Sequence, residues 1–145
     1  MMDSFDILFR LAAALSIGLL VGIERGWRSR DAAEETRVAG LRTFTLIGLY
    51  GGVSALLGEA FGGVAFAALA MMFAIAWFVF KLWDLVVEGD PSITGLVAGL
   101  IVFALGALAV VGPTEPALAA GVALTAVLAF KKGLHAWLRT LSWPE

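Results

Sequence analysis

The sequence contains no cysteine and a single histidine, His135, and only 15% of its residues are charged. The absence of cysteine excludes disulfides, thiolate metal sites and cysteine nucleophiles, and one histidine cannot form a multi-histidine metal site within one chain. The sequence also lacks a nucleophile elbow, a phosphate-binding loop and the glycine pattern of a dinucleotide-binding fold. We therefore predict that the chain is not an enzyme and uses no cofactor.

Apolar residues, by contrast, are in excess. The chain has 145 residues, of which 61% are hydrophobic, and its mean hydropathy is +0.94. A soluble domain is roughly 45–50% apolar, and so short a chain has no core large enough to bury the difference. We therefore predict an all-α integral membrane protein whose partner is the lipid bilayer. The net charge of −2 shows no basic excess, so nucleic acid is not an expected partner.

Five apolar runs predict a single domain, a bundle of about five transmembrane helices. A spanning helix needs roughly 20 mainly apolar residues. The predicted helices cover residues 7–23, 43–57, 64–80, 93–111 and 117–130, and a charged loop covers residues 24–42. The second and fifth runs are short, and a re-entrant fifth segment is the competing topology. Residues 131–143 form either an amphipathic surface helix or the frayed end of the fifth helix.

The distribution of basic residues predicts the orientation in the membrane, because Lys and Arg concentrate in cytoplasmic loops. Of the ten Lys and Arg, all but Arg10 lie on one side of a five-helix arrangement. That side includes the loop after the first helix, the end of the third helix and the C-terminal tail. We therefore predict an external N-terminus and a cytoplasmic C-terminus.

Small residues recur at four-residue spacing in three of the predicted helices. Lipid provides no hydrophobic force between helices, so close backbone approach at small residues contributes much of the packing. The residues of this pattern are Ala14, Gly18 and Gly22 in the first helix, Gly48 and Gly52 in the second, and Gly95 and Gly99 in the fourth. We predict that they form helix-packing faces; a permeation path lined by glycine is the alternative.

Two short motifs bracket the charged loop. Residues 22–25 read Gly-Ile-Glu-Arg and residues 40–43 read Gly-Leu-Arg-Thr. A carboxylate near the edge of the hydrocarbon is costly unless it is paired. We therefore expect the Glu24 carboxylate to pair with Arg25 or Arg42. The alternative is that these residues are ordinary interfacial charges. The residues proposed for this polar site or gate are Glu24, Arg25, Arg42 and Thr43.

Acidic residues after the third apolar run are weaker candidates for a metal site. Asp84 and Glu88 are four residues apart and fall on one face of a continuing helix. Carboxylate oxygens suit Mg²⁺ or Ca²⁺, and Glu24 is a third candidate ligand. The nearby Lys81 weakens this interpretation, and solvated loop charge is the alternative.

The motifs at residues 22–25 and 39–43 resemble those of the MgtC/SapB family of bacterial inner-membrane proteins. That family has a helix ending in Gly-x-Glu-Arg, a polar loop, and Gly-Leu-Arg-Thr opening the next helix. The likeness extends over essentially the whole chain. It is greatest to the larger members, which continue into a second membrane domain, so the chain is expected to be either a piece of a longer protein or a short member.

One departure limits what the resemblance implies. The larger members tend to begin the fourth helix with Thr-Thr-Glu, whereas residues 94–96 here read Thr-Gly-Leu, without the acid. The resemblance implies a bacterial inner-membrane location and a link to growth in low magnesium and to survival of pathogens inside host cells. Some members are linked to restraint of the ATP synthase.

Two functions are therefore expected. The first is a transporter or ion-handling membrane domain, with Glu24 and Arg42 at a polar gate on the cytoplasmic side. The second is a regulatory membrane protein that moves nothing and binds another membrane complex, such as the ATP synthase, through its helices. We also expect self-association, most simply as a homodimer.

Overall fold

A computed structural model shows a bundle of α-helices, and it describes residues 3–28, 40–88 and 93–130. Every element in these ranges is helical, which confirms the predicted fold class. In chain order the five helices are α1 (Ser4–Arg28), α2 (Leu41–Phe61), α3 (Gly63–Glu88), α4 (Ile93–Val111) and α5 (Thr114–Ala129). The first four are long and apolar enough to cross a membrane.

Helix α5 is shorter, with 16 residues. At 1.5 Å per residue it is about 24 Å long, which is less than the roughly 30 Å of bilayer hydrocarbon. The described residues therefore contain four helices that are long and apolar enough to cross a membrane and a fifth, shorter apolar helix. The predicted surface helix at residues 131–143 lies outside them.

The helices extend further into polar sequence than predicted. Helix α1 continues to Arg28, so the charged loop does not begin at residue 24 as predicted. Helix α2 spans 21 residues rather than 15, and α3 continues past Lys81 to Glu88. In α3 this extension contains an ion pair between Lys81 and Asp84 at spacing i, i+3, which supports the helix.

One residue connects α2 to α3. Gly62 has a φ of +96°, which side-chain-bearing residues rarely adopt, and its N–H donates to the Gly58 carbonyl. Chain reversal within a single residue makes α2 and α3 antiparallel neighbours. At the next described connection, between α4 and α5, Pro113 precedes the helix and the Thr114 hydroxyl donates to the Ala109 carbonyl at 2.9 Å.

Three helices form the centre of the bundle. Helices α1, α2 and α4 pack against one another, α5 packs against α1 and α4, and α3 packs mainly against α2 and only lightly against α4. An aromatic layer attaches α3: the Phe73 ring of α3 stacks on Phe103 of α4 at 4.8 Å between centroids. Most of the α3 surface is exposed, so in a membrane α3 faces lipid or a partner.

Candidate functional site

Backbone contact between helices brings the two sequence motifs together. A Cβ built on Gly22 of α1 would lie 2.8 Å from the Leu41 carbonyl oxygen at the start of α2. A side chain there would therefore collide with backbone, and only glycine permits this approach. The Gly-Ile-Glu-Arg and Gly-Leu-Arg-Thr motifs thus meet at one end of the bundle.

The side chains of the two motifs nevertheless point to different places. Arg25 extends to α4, where it donates to the Thr94 carbonyl at 3.4 Å. Thr43 lines a cleft between α2 and α3. The Arg42 side chain is exposed and forms no ion pair with a described residue. The four proposed residues share an end of the bundle without forming one constellation.

Glu24 pairs with its neighbour in sequence. Of the two predicted partners, Arg25 and Arg42, Arg25 is in contact with Glu24: its Nε lies 3.6 Å from Glu24 Oε2. The exposed fractions of the two side chains are 14% for Arg25 and 8% for Glu24. Charges so deeply buried in an apolar bundle are costly unless paired, which explains why they lie side by side.

A second ion pair lies at the same end of the bundle. Lys81 Nζ donates to Asp84 Oδ2 at 2.6 Å, and both side chains are largely buried. The same Nζ lies 3.3 Å from the Cβ position of Gly95 in α4, and a larger residue there would crowd it. Asp84 Oδ1 is buried and has no hydrogen-bond partner among the described residues.

Both pairs therefore border the first turn of α4. We call Glu24, Arg25, Lys81 and Asp84 the polar cluster. A helix N-terminus carries partial positive charge, which disfavours cations, so Arg25 and Lys81 require their acidic partners there. Two acids and two bases leave the polar cluster electrically neutral.

The polar cluster differs from the predicted site in its membership. Lys81 and Asp84 belong to it, although Asp84 was predicted only as a weak metal candidate and Lys81 was not predicted as a site residue, while Arg42 does not belong to it. Among the described residues, no group of three or more His, Cys, Asp or Glu could bind a metal ion. The side chain of Glu88, the other metal candidate, lies outside the described residues.

A charged contact at the opposite end was missed from the sequence. Arg10 of α1 pairs with Asp6 at 2.9 Å and donates to the Val110 and Gly112 carbonyls at 3.2 and 2.9 Å. These carbonyls end α4, where a cation is favoured by the helix dipole and unpaired carbonyls need donors. The spacing of Asp6 and Arg10 predicts their pairing, but nothing local predicts α4 as the partner.

The predicted small-residue faces make two kinds of contact, one with helix backbone and one with side chains. Gly18 and Gly48 lie at the α1–α2 crossing, against the backbone of Phe44 and Ala14. Gly52 approaches Ala14 and the Val110 side chain. By contrast, Gly95 and Gly99 of α4 make room for the α3 side chains of Lys81 and Trp77 rather than for helix backbone.

The chain matches a known protein family. A family model described as the MgtC family matches residues 11–137. Searches of curated proteins and of solved structures each found no match to the chain. The matched segment covers most of the 145 residues and includes both motifs and all five helices apart from the first residues of α1. The chain belongs to the MgtC family of proteins.

Proposed function

We propose that this chain is an ion-handling membrane domain in which the polar cluster is the site that meets a small ion. The observation that carries the proposal is the burial of four ionisable side chains at one end of a lipid-facing bundle. Ionisable residues inside membrane proteins are expensive and most often mark an ion or substrate path.

A cation is the ion that the polar cluster suits. The unpartnered Oδ1 of Asp84 offers one carboxylate oxygen, and Glu24 pairs with Arg25, which contacts the first turn of α4. Mg²⁺ usually retains several waters and binds through one or two carboxylates, so a dedicated cage is not required. The low-magnesium association of the family makes Mg²⁺ the first ion to test.

Passage of an ion would involve α3. Backbone contacts close the centre: the Cβ positions of Gly51 and Gly106 meet backbone atoms of Phe103 and Gly48, at the α2–α4 crossing. Helix α3 carries half of the polar cluster and is the least buried of the spanning helices. Movement of α3 relative to α4 would break the contacts of Lys81 and Trp77 with α4 while the centre stays intact.

A regulatory membrane protein is the second candidate. The closed centre and the long apolar surface of α3 favour it, because they suit a helix that packs on another membrane complex rather than a wall of a channel. The family link to the ATP synthase names one such complex. Under either function we propose a bacterial inner-membrane location and a homodimer formed through exposed helix surface.

Flux in liposomes tests the first function. We would follow Mg²⁺, K⁺ and H⁺ with reporter dyes for the wild type and for Glu24→Gln and Asp84→Asn. Glu59→Gln is the matched control, because Glu59 is exposed and lies near the opposite end of α2. Loss of flux in the first two variants alone would support ion handling at the polar cluster.

The same preparation tests the second function. Absence of flux in the wild type, together with co-purification of one stable membrane complex from cells, would favour regulation. Flux that all three variants retain would contradict the assignment of the polar cluster while leaving transport itself in place.

A further inference from the structure

A cleft of about 660 Å³ lies between α2 and α3. Its volume falls in the range of roughly 300–1,000 Å³ that is usual for small-molecule sites. The lining residues on α2 include Thr43, Leu46 and Val53, and those on α3 include Ala76 and Phe80. Leu46 and Val53 are exposed at the surface of the bundle, so the cleft opens sideways, towards lipid in a membrane.

The walls of the cleft require an apolar occupant. The Tyr50 hydroxyl donates to the Leu69 carbonyl at 3.3 Å, and Trp77 Nε1 donates to the Leu96 carbonyl at 3.0 Å. The polar atoms of these two lining residues are therefore already satisfied within the chain, and they do not call for a polar ligand. In a membrane an acyl chain gains here from van der Waals packing against the apolar walls, since lipid provides no hydrophobic force.

The length of the cleft matches one leaflet. Its α2 wall begins at Thr43, in the first turn of the helix, and ends at Val53. Ten residues of α-helix rise about 15 Å, which is half of the roughly 30 Å of hydrocarbon in a bilayer. The cleft therefore extends from the membrane surface to the midplane, as a single acyl chain does.

Among the described residues, an exposed arginine and the N-terminus of α2 lie at the surface end of the cleft. Arg42 precedes Thr43 and is exposed without an ion pair to a described residue. The first turn of α2 contains no acid, and Gly40 provides no side-chain cap, so the turn's N–H groups and helix dipole favour an anion.

We propose that the cleft binds an acyl chain of an anionic phospholipid, with its phosphate against Arg42 and the first turn of α2. Basic pockets between membrane helices are a recognised way of binding anionic headgroups. The lipid comes from the leaflet at the N-terminal end of α2. This site is separate from the polar cluster and does not depend on the function proposed for it.

Native mass spectrometry of the purified full chain tests the proposal. The chain in detergent is mixed with phosphatidylglycerol or with phosphatidylcholine of the same acyl chains, and bound lipid is counted. We expect phosphatidylglycerol to bind more tightly. Arg42→Gln should weaken its binding about fivefold, because a charge near an anionic surface contributes about 1 kcal/mol. Arg42→Lys should keep most of the affinity.

A cleft-filling variant tests the position of the chain. Ala76→Phe places a ring in the cleft from an exposed position, and Ala68→Phe adds the same ring at an exposed position of α3 outside the cleft. We expect Ala76→Phe to lose bound lipid and Ala68→Phe to retain it, with unfolding temperatures in lipid-free detergent like that of the wild type.

Three results would overturn the proposal. Equal binding of both lipids by the wild type would remove the headgroup site. Undiminished phosphatidylglycerol binding by both Ala76→Phe and Arg42→Gln would place the lipid elsewhere. A wild-type dimer that Ala76→Phe converts to a monomer, with no lipid bound in either, would make the cleft a contact between two copies of the chain.

Discussion

At the scale of single residues, the glycines at helix crossings set how closely the helices pack. Gly18 lies where α1 meets the backbone of Phe44 and Thr45, with no space for a methyl group. Gly26, on the same helix, has no atom of the described residues within 4 Å of its Cβ position. The same substitution should therefore have opposite effects at these two positions of α1.

We expect Gly18→Ala to lower the free energy of unfolding by about 1–3 kcal/mol, because the methyl group must displace backbone rather than a flexible side chain. Gly26→Ala should be neutral or stabilising by up to about 1 kcal/mol, because alanine favours the helix. Thermal unfolding in detergent measures both changes. Equal unfolding temperatures for the two variants would show that the α1–α2 crossing is looser than described.

Ser54 of α2 is a buried polar residue whose substitution gives a second prediction at this scale. It is fully buried, and its hydroxyl has no hydrogen-bond partner among the described residues. A buried hydroxyl without a partner costs about 1–3 kcal/mol in desolvation. Ser54→Ala should therefore leave stability unchanged or raise it, again by thermal unfolding in detergent. A clear loss of stability would reveal a partner for the hydroxyl, such as a water molecule.

Four-residue spacing identified some close-packing glycines and missed others. It selected Gly18 and Gly48, which lie at the α1–α2 crossing, but it passed over Gly51 and Gly106, which meet the backbone of α4 and α2. Helix α2 is packed on two sides, and a pattern that follows one face cannot report the other. It also cannot tell a backbone neighbour from a side-chain neighbour, and Gly99 is an example because it faces the Trp77 side chain of α3.

At the scale of helices, Arg10 connects the start of α1 to the end of α4 through two carbonyl oxygens. We expect Arg10→Ala to destabilise the bundle by about 1–2 kcal/mol, since hydrogen bonds from a charged donor are the stronger kind and the side chain is partly exposed. Amide exchange should accelerate in the last turn of α4. Arg42→Ala, at an exposed arginine, is the control and should change neither quantity.

Helix ends illustrate what the sequence predicted and what it could not. The number, order and helical character of the five segments follow from apolar runs, since lipid admits little else. The ends of α1 and α3 cannot be predicted from the apolar runs, because hydropathy falls at Glu24 and Lys81 although each helix continues. Partners outside the local sequence decide these ends: Arg25 contacts Thr94, and Lys81 contacts the Gly95 position, on α4.

At the scale of the whole molecule, the bundle has two chemically different ends. The polar cluster and Arg42 lie at the end where α1 and α3 finish and α2 and α4 begin. The other end carries Arg10 with Asp6. The positive-inside rule predicts that the first end is cytoplasmic, and the same placement puts the lipid cleft in the cytoplasmic leaflet.

The lack of cysteine makes this orientation directly testable, because any introduced cysteine is the only thiol in the chain. Ser4→Cys lies at the exposed start of α1, and Gly26→Cys lies near its other end, where no atom of the described residues is within 4 Å of the Cβ position. In intact cells, a membrane-impermeant maleimide should label Ser4→Cys and not Gly26→Cys, and permeabilisation should restore labelling of the second. The reverse pattern would place the polar cluster outside the cell, where it would meet external rather than cytoplasmic ions.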